Sequence, residues 1–310
     1  MNIGSRPLVP SRLAGGVHGS RRAPKSVIGG YIALTKPRII ELLLVTTVPT
    51  MVLAEGGWPS TWLVVATVIG GTLAAGGANA INMVIDRDID PLMERTKNRP
   101  LVTGLIQPRD AMIFAVLLEI AAFVTLWITS NLLAASLAVA ATLFYVLIYS
   151  MWLKRTSRQN IVIGGAAGAA PVLVGWAAVT ESLGWAPFVL FLLIFLWTPP
   201  HFWALAIKHV EEYRAANVPM LPVVATMTET LRSMVIYTVA LVACSGVLVP
   251  VADLGWVYIA VASVSGVLFL GGTLLLARRP TEADAMKLFS YSISYITLIF
   301  TAIAIDVLVK

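Results

Sequence analysis

The chain has 310 residues, 58% hydrophobic and 12% charged, with a mean hydropathy of +0.85. Soluble domains carry roughly 25% charged residues, so a soluble globular fold is excluded and the sequence reads as an all-α, polytopic integral membrane protein. The net charge of +6 is topogenic rather than a sign of nucleic acid, and a single Cys, Cys244, excludes an intramolecular disulfide.

Residues 1–30 are rich in Gly, Ser, Pro and Arg and lack the apolar core of a secretory signal. They read as a disordered basic cytoplasmic tail, with a transit peptide as the alternative. Residues 31–310 form the second predicted unit, a nine-helix transmembrane domain. Its spans are 38–55, 61–85, 110–129, 132–152, 161–180, 185–206, 232–252, 255–277 and 287–308, each near the roughly 20 residues a bilayer requires. Of the 22 Lys and Arg residues, all but Lys310 precede the first span or follow the second, fourth, sixth or eighth. By the positive-inside rule the N-terminus is cytoplasmic and the C-terminus outside, as in a bacterial inner-membrane protein. The loops after the second and sixth spans hold nearly all the unusual chemistry, so the site is expected in a cavity of one bundle, open to the cytoplasm. Glu119, in the middle of the third span, receives no role, and Cys244 reads as a small packing residue.

The second span ends in NMVIDRDIDPLMERTKNRP, residues 82–100. Asn82, Asp86 and Asp90 recur every four residues and fall within about 80° of one another on a helix, whereas Asp88 points to another face. Pro91 is expected to end that helix just after Asp90. Acids at membrane depth are usually functional, and two carboxylates on one face repel unless a cation joins them. Mg²⁺ takes one or two carboxylates together with substrate phosphates. Arg95, Lys97 and Arg99 suit phosphate oxygens. The bland alternative is a solvated helix end with Asp–Arg pairs. The sharper reading is a site for a diphosphate with a long apolar tail.

The pattern NxxxDRxxDxxMxRTxxRP resembles the first signature of the UbiA-type intramembrane prenyltransferases. The second acidic motif of that family is usually DxxxD, but the matching stretch here, WTPPHFWALAIKHVEEYRAANVPMLPVV (197–224), carries Lys208 and Glu212. HFWALAIK and VPMLPVV resemble the branch that farnesylates protohaem IX. LTKPRI (34–39) and YSMWLKRTSRQNIVIGGAAGAAPVLVGWAAVT (149–180) agree, so the resemblance covers residues 34 to about 224. It implies Mg²⁺ as cofactor, farnesyl diphosphate and haem b as substrates, and a step towards haem A for terminal oxidases. Haem would be a substrate and not a prosthetic group. Membrane lipid is an implied partner, as are haem A synthase or oxidase assembly factors.

Asp86, Asp90 and Lys208 are the expected catalytic residues, with Asn82, Asp86 and Asp90 on the metal. Arg95, Lys97 and Arg99 are expected on the diphosphate, and the resemblance adds Lys154 and Arg155 as a clamp over it. His201, Trp203, Tyr149 and Glu212 are assigned to haem or the prenyl chain. Tyr145, Tyr149, Phe202 and Trp203 are candidates to face an allylic cation. An ammonium at Lys208 contacts phosphate without a metal, so fewer metal ions are expected at this second cluster than in a DxxxD member. Glu212 either reaches a metal through water or pairs with Lys208. Pro199 and Pro200 are expected to kink or interrupt the sixth helix just before His201. His201 is either a packed, hydrogen-bonded side chain or a haem contact, and His209 reads as incidental. Gly164, Gly165 and Gly168 read first as helix packing and second as room for a flat porphyrin. The rivals are a quinone or chlorophyll-type acceptor in the same family, a secondary transporter, and a non-catalytic haem carrier.

Overall fold

The computed structural model describes residues 24 and 26–310, apart from the side chains of 38–44. Ser26 caps α1 (Val27–Thr35), its hydroxyl accepting from the Gly29 N–H. Lys36 leaves that helix at φ 53° and ψ 62°, and Pro37 starts α2 (Pro37–Glu55). Then come α3 (Thr61–Ile85), α4 (Pro108–Thr129) and α5 (Leu132–Leu143), which Asn131 caps through the Ala134 N–H. The chain of α5 runs on as a π-helix, Phe144–Leu153, and one closing turn, Lys154–Thr156. Apart from one turn at Leu221–Val224, the remaining helices are α6 (Asn160–Thr180), α7 (Trp185–Lys208), short α8 (Val210–Ala215), α9 (Met227–Val251), α10 (Trp256–Arg278) and α11 (Glu282–Val309).

The described residues contain no strand. Eight segments among them are long and apolar enough to cross a membrane, and α2 is helical for 19 residues along the first predicted span. The tail expected over 1–30 lies outside the described residues except at its end, where Val27 to Gly30 already belong to α1.

One apolar core joins α6, α7, α9, α10 and α11, with Tyr258, Phe269, Tyr295 and Phe300 fully buried and Cys244 packed among them. A second joins α3, α4, α5 and α6 through alanines such as Ala122, Ala134 and Ala177. Small residues allow this approach. A Cβ on Gly165 would lie 2.9 Å from Thr198, and one on Gly70 2.6 Å from Leu126. Glu119 sits 3.2 Å from the Thr142 hydroxyl through both oxygens, linking α4 to α5.

Helix α7 is continuous through Pro199 and Pro200, so of the kink or interruption expected there the interruption is not found. The prolines remove two N–H donors, but side chains on either side of them fasten the helix to α11. The Trp197 indole donates to the Ser292 carbonyl at 2.8 Å, and His201 Nδ1 lies 2.6 Å from the Ser292 hydroxyl.

At the charged end, Ile89 and Met93 pack with Ile161, Ala206, Tyr213, Val218 and Met220. This separate cluster docks the segment after α3 against the segment after α7, and so fixes the two regions that the sequence singles out.

Candidate functional site

Helix α3 ends at Ile85, earlier than the Pro91 stop predicted from sequence. Two 3₁₀ turns follow, Asp86–Asp88 and Asp90–Leu92, closed by Ile89 N–H to Asp86 O at 3.0 Å and Met93 N–H to Asp90 O at 3.4 Å. The Thr96 hydroxyl donates to the Asp90 carbonyl at 2.7 Å. The tighter winding keeps the predicted division of the acids. Asn82, Asp86 and Asp90 are buried, and Asp88 is exposed and holds Arg155 by two 2.7 Å bonds.

Each buried acid has a cation. Arg99 Nη1 lies 2.7 Å from both Asp90 oxygens. Lys154 Nζ pairs with Asp86 Oδ2. Asp86 Oδ1 is buried with no hydrogen-bond partner, and the Arg155 guanidinium stands 4.0 Å from it. Burial holds the Asp90 carboxyl above the usual carboxylate range, against the pull of Arg99. Arg155 also lines a cavity of about 310 Å³ with Ile85, Arg87, Asp88 and Met151.

Asn82 is spoken for on both sides. Its Oδ1 accepts from Lys36 Nζ at 2.8 Å, and its Nδ2 donates to the Ser150 hydroxyl at 3.0 Å, which donates to the Tyr145 carbonyl at 2.9 Å. Lys36 was not among the predicted site residues. In the sequence it stands within LTKPRI, directly before the proline that starts a membrane helix, where it looks like an anchor. Its left-handed backbone costs roughly 1–2 kcal/mol, and the following proline disfavours helical backbone before it. Burial, then Arg99 and Lys154, hold its ammonium well below the ordinary lysine value.

The π-helix supplies the opposite wall. Tyr145 and Tyr149 stack at 5.4 Å with 19° between planes. Tyr145 is in electrostatic range of Asp86 and Arg99, and Tyr149 of Asp86, Arg95 and Tyr213. Gly164 is needed here, since a Cβ on it would lie 2.3 Å from the Tyr149 ring. Arg95 donates to the Tyr213 hydroxyl at 3.2 Å and sits 5.3 Å over that ring. Tyr213 and Ser150 are further site neighbours that sequence patterns did not reveal. Asn160, at the start of α6, is fully buried with both side-chain polar atoms unbonded.

Other predicted residues are placed elsewhere. Lys97 is exposed and pairs with Glu94 at 2.6 Å. Lys208 ends α7 half-buried and forms no ion pair with Glu212, which bonds His209 at 2.7 Å instead. His209 keeps a local structural place, because the α7 terminus turns there and aligns it with Glu212 at i, i+3. His201 is buried, stacked between Trp197 at 4.2 Å and Phe289 at 4.5 Å. That is the packed, hydrogen-bonded alternative. Trp203 is buried against Tyr237 with its indole N–H unbonded, and Phe202 meets His201 edge-on at 5.0 Å.

Among the described residues no group of three or more His, Cys, Asp or Glu side chains forms a metal site. Asp86 and Asp90, with the unbonded Asp86 Oδ1, still fit a hard cation that draws its remaining ligands from phosphate.

Residues 43–299 match the UbiA prenyltransferase family. Across 279 residues the chain is 52% identical to "Protoheme IX farnesyltransferase" of Clavibacter michiganensis, covering 89% of this chain and 91% of that protein. Among solved structures it resembles a digeranylgeranylglyceryl phosphate synthase at TM-score 0.76 and 18% identity, over 92% of this chain and 99% of that one. It also resembles a UbiA homologue of Archaeoglobus fulgidus bound to GPP and Mg²⁺, at TM-score 0.60 and 18% identity, over 88% and 99%.

Proposed function

Because the chain belongs to the UbiA prenyltransferase family, we propose that it transfers the farnesyl group of farnesyl diphosphate to a vinyl group of protohaem IX, with Mg²⁺ as cofactor. The observation that carries the reading is a pair of buried carboxylates with three half-buried cations at the charged end of an apolar bundle. Such a set receives a polar diphosphate head while the bundle receives its tail. The acceptor is assigned from the Lys208–Glu212 departure and from the Clavibacter michiganensis relative, which is named a protohaem IX farnesyltransferase.

Asp86 and Asp90 would hold Mg²⁺, which supplies positive charge against the diphosphate and eases its departure. Lys154 and Arg99, now paired with those carboxylates, turn to the phosphate oxygens and stabilise the leaving group. The C1–O bond breaks and diphosphate leaves with the electron pair. Tyr145 and Tyr149 offer stacked faces to the allylic cation. The terminal vinyl carbon bonds to C1. Water then adds to the electron-poor carbon beside the porphyrin and loses a proton, leaving a hydroxyethylfarnesyl side chain. The apolar walls limit water near the cation. The protein is placed in the cytoplasmic membrane of a bacterium with its charged face inward.

The test is purified protein with farnesyl diphosphate, haem b and Mg²⁺. Mass spectrometry is expected to find the farnesylated hydroxyethyl haem, and Asp86→Ala or chelation to abolish it. Prenylation of a phenolic quinone precursor without any haem product would refute the acceptor assignment.

A further inference from the structure

Helices α9 and α10 meet at two buried threonines, the Thr238 and Thr273 hydroxyl oxygens lying 3.3 Å apart. From that contact towards the charged end, the space between the helices opens into a cavity of about 370 Å³. Thr228, Leu231, Arg232 and Val235 of α9 form one wall, and Ala277 and Pro280 at the end of α10 form the other. Thr228, Arg232 and Val235 recur at i, i+4 and i+7, so they share a helix face. The cavity thus has a hydroxyl and a guanidinium at its outer end and apolar side chains below them. Arg232 forms no hydrogen bond or ion pair among the described residues. Glu229, which could neutralise it from three residues back, is held by Arg158 at 3.1 Å. Arg278 and Arg279 follow Ala277 directly, both exposed and in no ion pair among the described residues. Arg279 stands in electrostatic range of Asp284, which Lys287 already holds at 2.9 Å.

We propose that this cavity binds an anionic phospholipid, with the phosphate on the Arg232 guanidinium and the Thr228 hydroxyl. The apolar spans begin at Arg232 and end at Ala277 (232–252 and 255–277), which puts the cavity at the depth of the headgroups. Towards the bilayer centre the same two faces stay open. Val239, four residues on from Val235, is 49% exposed, and Leu274, three before Ala277, is 42% exposed. An acyl chain lies along them while its phosphate stays at Arg232. A free phosphate ion would instead meet Leu231, Val235 and Ala277 where it needs donors. The planar guanidinium matches phosphate oxygens, and basic pockets between membrane helices at this depth take anionic headgroups. Arg278 and Arg279 select by charge, since they repel the ammonium of a zwitterionic headgroup. The cavity shares no residue with the buried acids, so it stands or falls apart from the proposed reaction.

The test is the full chain in detergent, titrated with dioleoyl phosphatidylglycerol or dioleoyl phosphatidylcholine and read by native mass spectrometry. Wild type is expected to hold one phosphatidylglycerol about fivefold more tightly than phosphatidylcholine. Arg232→Gln should weaken phosphatidylglycerol about fivefold and bring the two lipids level. Ala277→Phe fills the cavity without a change of charge and should weaken both lipids. Arg232 and Ala277 are exposed, so melting in lipid-free detergent should stay as in wild type. Arg109→Gln removes another exposed cation, at the start of α4, and should leave lipid binding unchanged, which separates a site from the general pull of a basic face. The inference is overturned if Arg232→Gln binds phosphatidylglycerol as wild type does, or if Arg109→Gln weakens it equally. Displacement of the lipid by millimolar inorganic phosphate would make the occupant a free anion and overturn it too. If Ala277→Phe shifts the balance of monomer and dimer and leaves lipid binding intact, the cavity is a contact between copies of the chain and the inference fails.

Discussion

Removing Arg99 tests whether the buried charges are arranged as a set or merely lie near one another. Asp90 is 1% exposed, and Arg99 Nη1 reaches both of its oxygens at 2.7 Å. Charge centres about 4 Å apart at an effective dielectric near 20 attract by about 4 kcal/mol. Breaking a buried pair by deleting one partner costs about 3–5 kcal/mol. Arg99→Gln is therefore expected to destabilise by about 4 kcal/mol, lowering the melting temperature in detergent by roughly 10 °C. The exposed Arg158–Glu229 pair, at 3.1 Å, gives the comparison, since such pairs contribute about 0–1 kcal/mol. Burial already raises Asp90 above the usual carboxylate range with Arg99 in place, so the pair itself adds little net stability. The double variant Asp90→Asn, Arg99→Gln should accordingly recover most of the loss. Without Arg99 the Asp90 carboxyl rises further, and the fold then binds a proton that the unfolded chain lacks. Stability of Arg99→Gln should thus improve as pH falls from neutral towards the range where Asp90 protonates. If Arg99→Gln melts no lower than Arg158→Gln, Asp90 is not the buried, paired charge described here.

Gly164→Ala places a methyl 2.3 Å from the Tyr149 ring, and overpacking of this kind costs about 1–3 kcal/mol; turnover should fall more than melting temperature, because Tyr149 must leave its stack on Tyr145. Asp306 is buried, and its Oδ1 accepts from the Tyr258 N–H at 3.2 Å at the start of α10. Asp306→Ala should lower stability by about 1–2 kcal/mol and leave the affinity for farnesyl thiodiphosphate, an unreactive probe, unchanged, as calorimetry would show. His201→Phe should retain the haem Soret spectrum and turnover if the ring only packs between Trp197 and Phe289, and a spectral change would place it on haem. Deleting Leu147, which is about half exposed on the outer side of the π-helix, should rewind that segment as an α-helix and abolish turnover while circular dichroism shows helix content retained.

The bundle was legible because a bilayer imposes length and apolarity on each span, and because the basic residues mark one side. The acids were legible because one short segment supplies all of them: a four-residue spacing survives a change from α-helix to 3₁₀ turns closely enough to keep Asp86 and Asp90 together and Asp88 apart. Residues that meet across the bundle were not. Lys36 is 46 positions from Asn82, and Ser150 is 68, and neither pairing leaves a trace in local periodicity. Lys208 and Glu212 fail for the reverse reason. They share a phase on a continuous helix, but the helix stops at Lys208 and the chain turns at His209, so the phase does not carry across.

The π-helix explains why the fourth span in particular resisted reading. At 100° per residue, an α-helix would set Ser150 about 140° and Lys154 about 180° away from Tyr145. A sequence reader using that period must choose between the aromatic face and the polar face. With hydrogen bonds closing five residues back, as from the Lys154 N–H to the Tyr149 carbonyl, a turn holds about 4.4 residues and the same positions return to within roughly 50° of Tyr145. Ser150 and Lys154 then reach Asn82 and Asp86, one turn apart on the α3 side, while Tyr145 and Tyr149 stay near the same charges. A single wider coil thus brings the stacked tyrosines and the lysine that pairs with Asp86 to one surface. Such coils are rare in general and frequent at functional sites. Its place in this chain, directly opposite the buried acids, therefore supports the assignment of chemistry to this end of the bundle independently of the acids themselves.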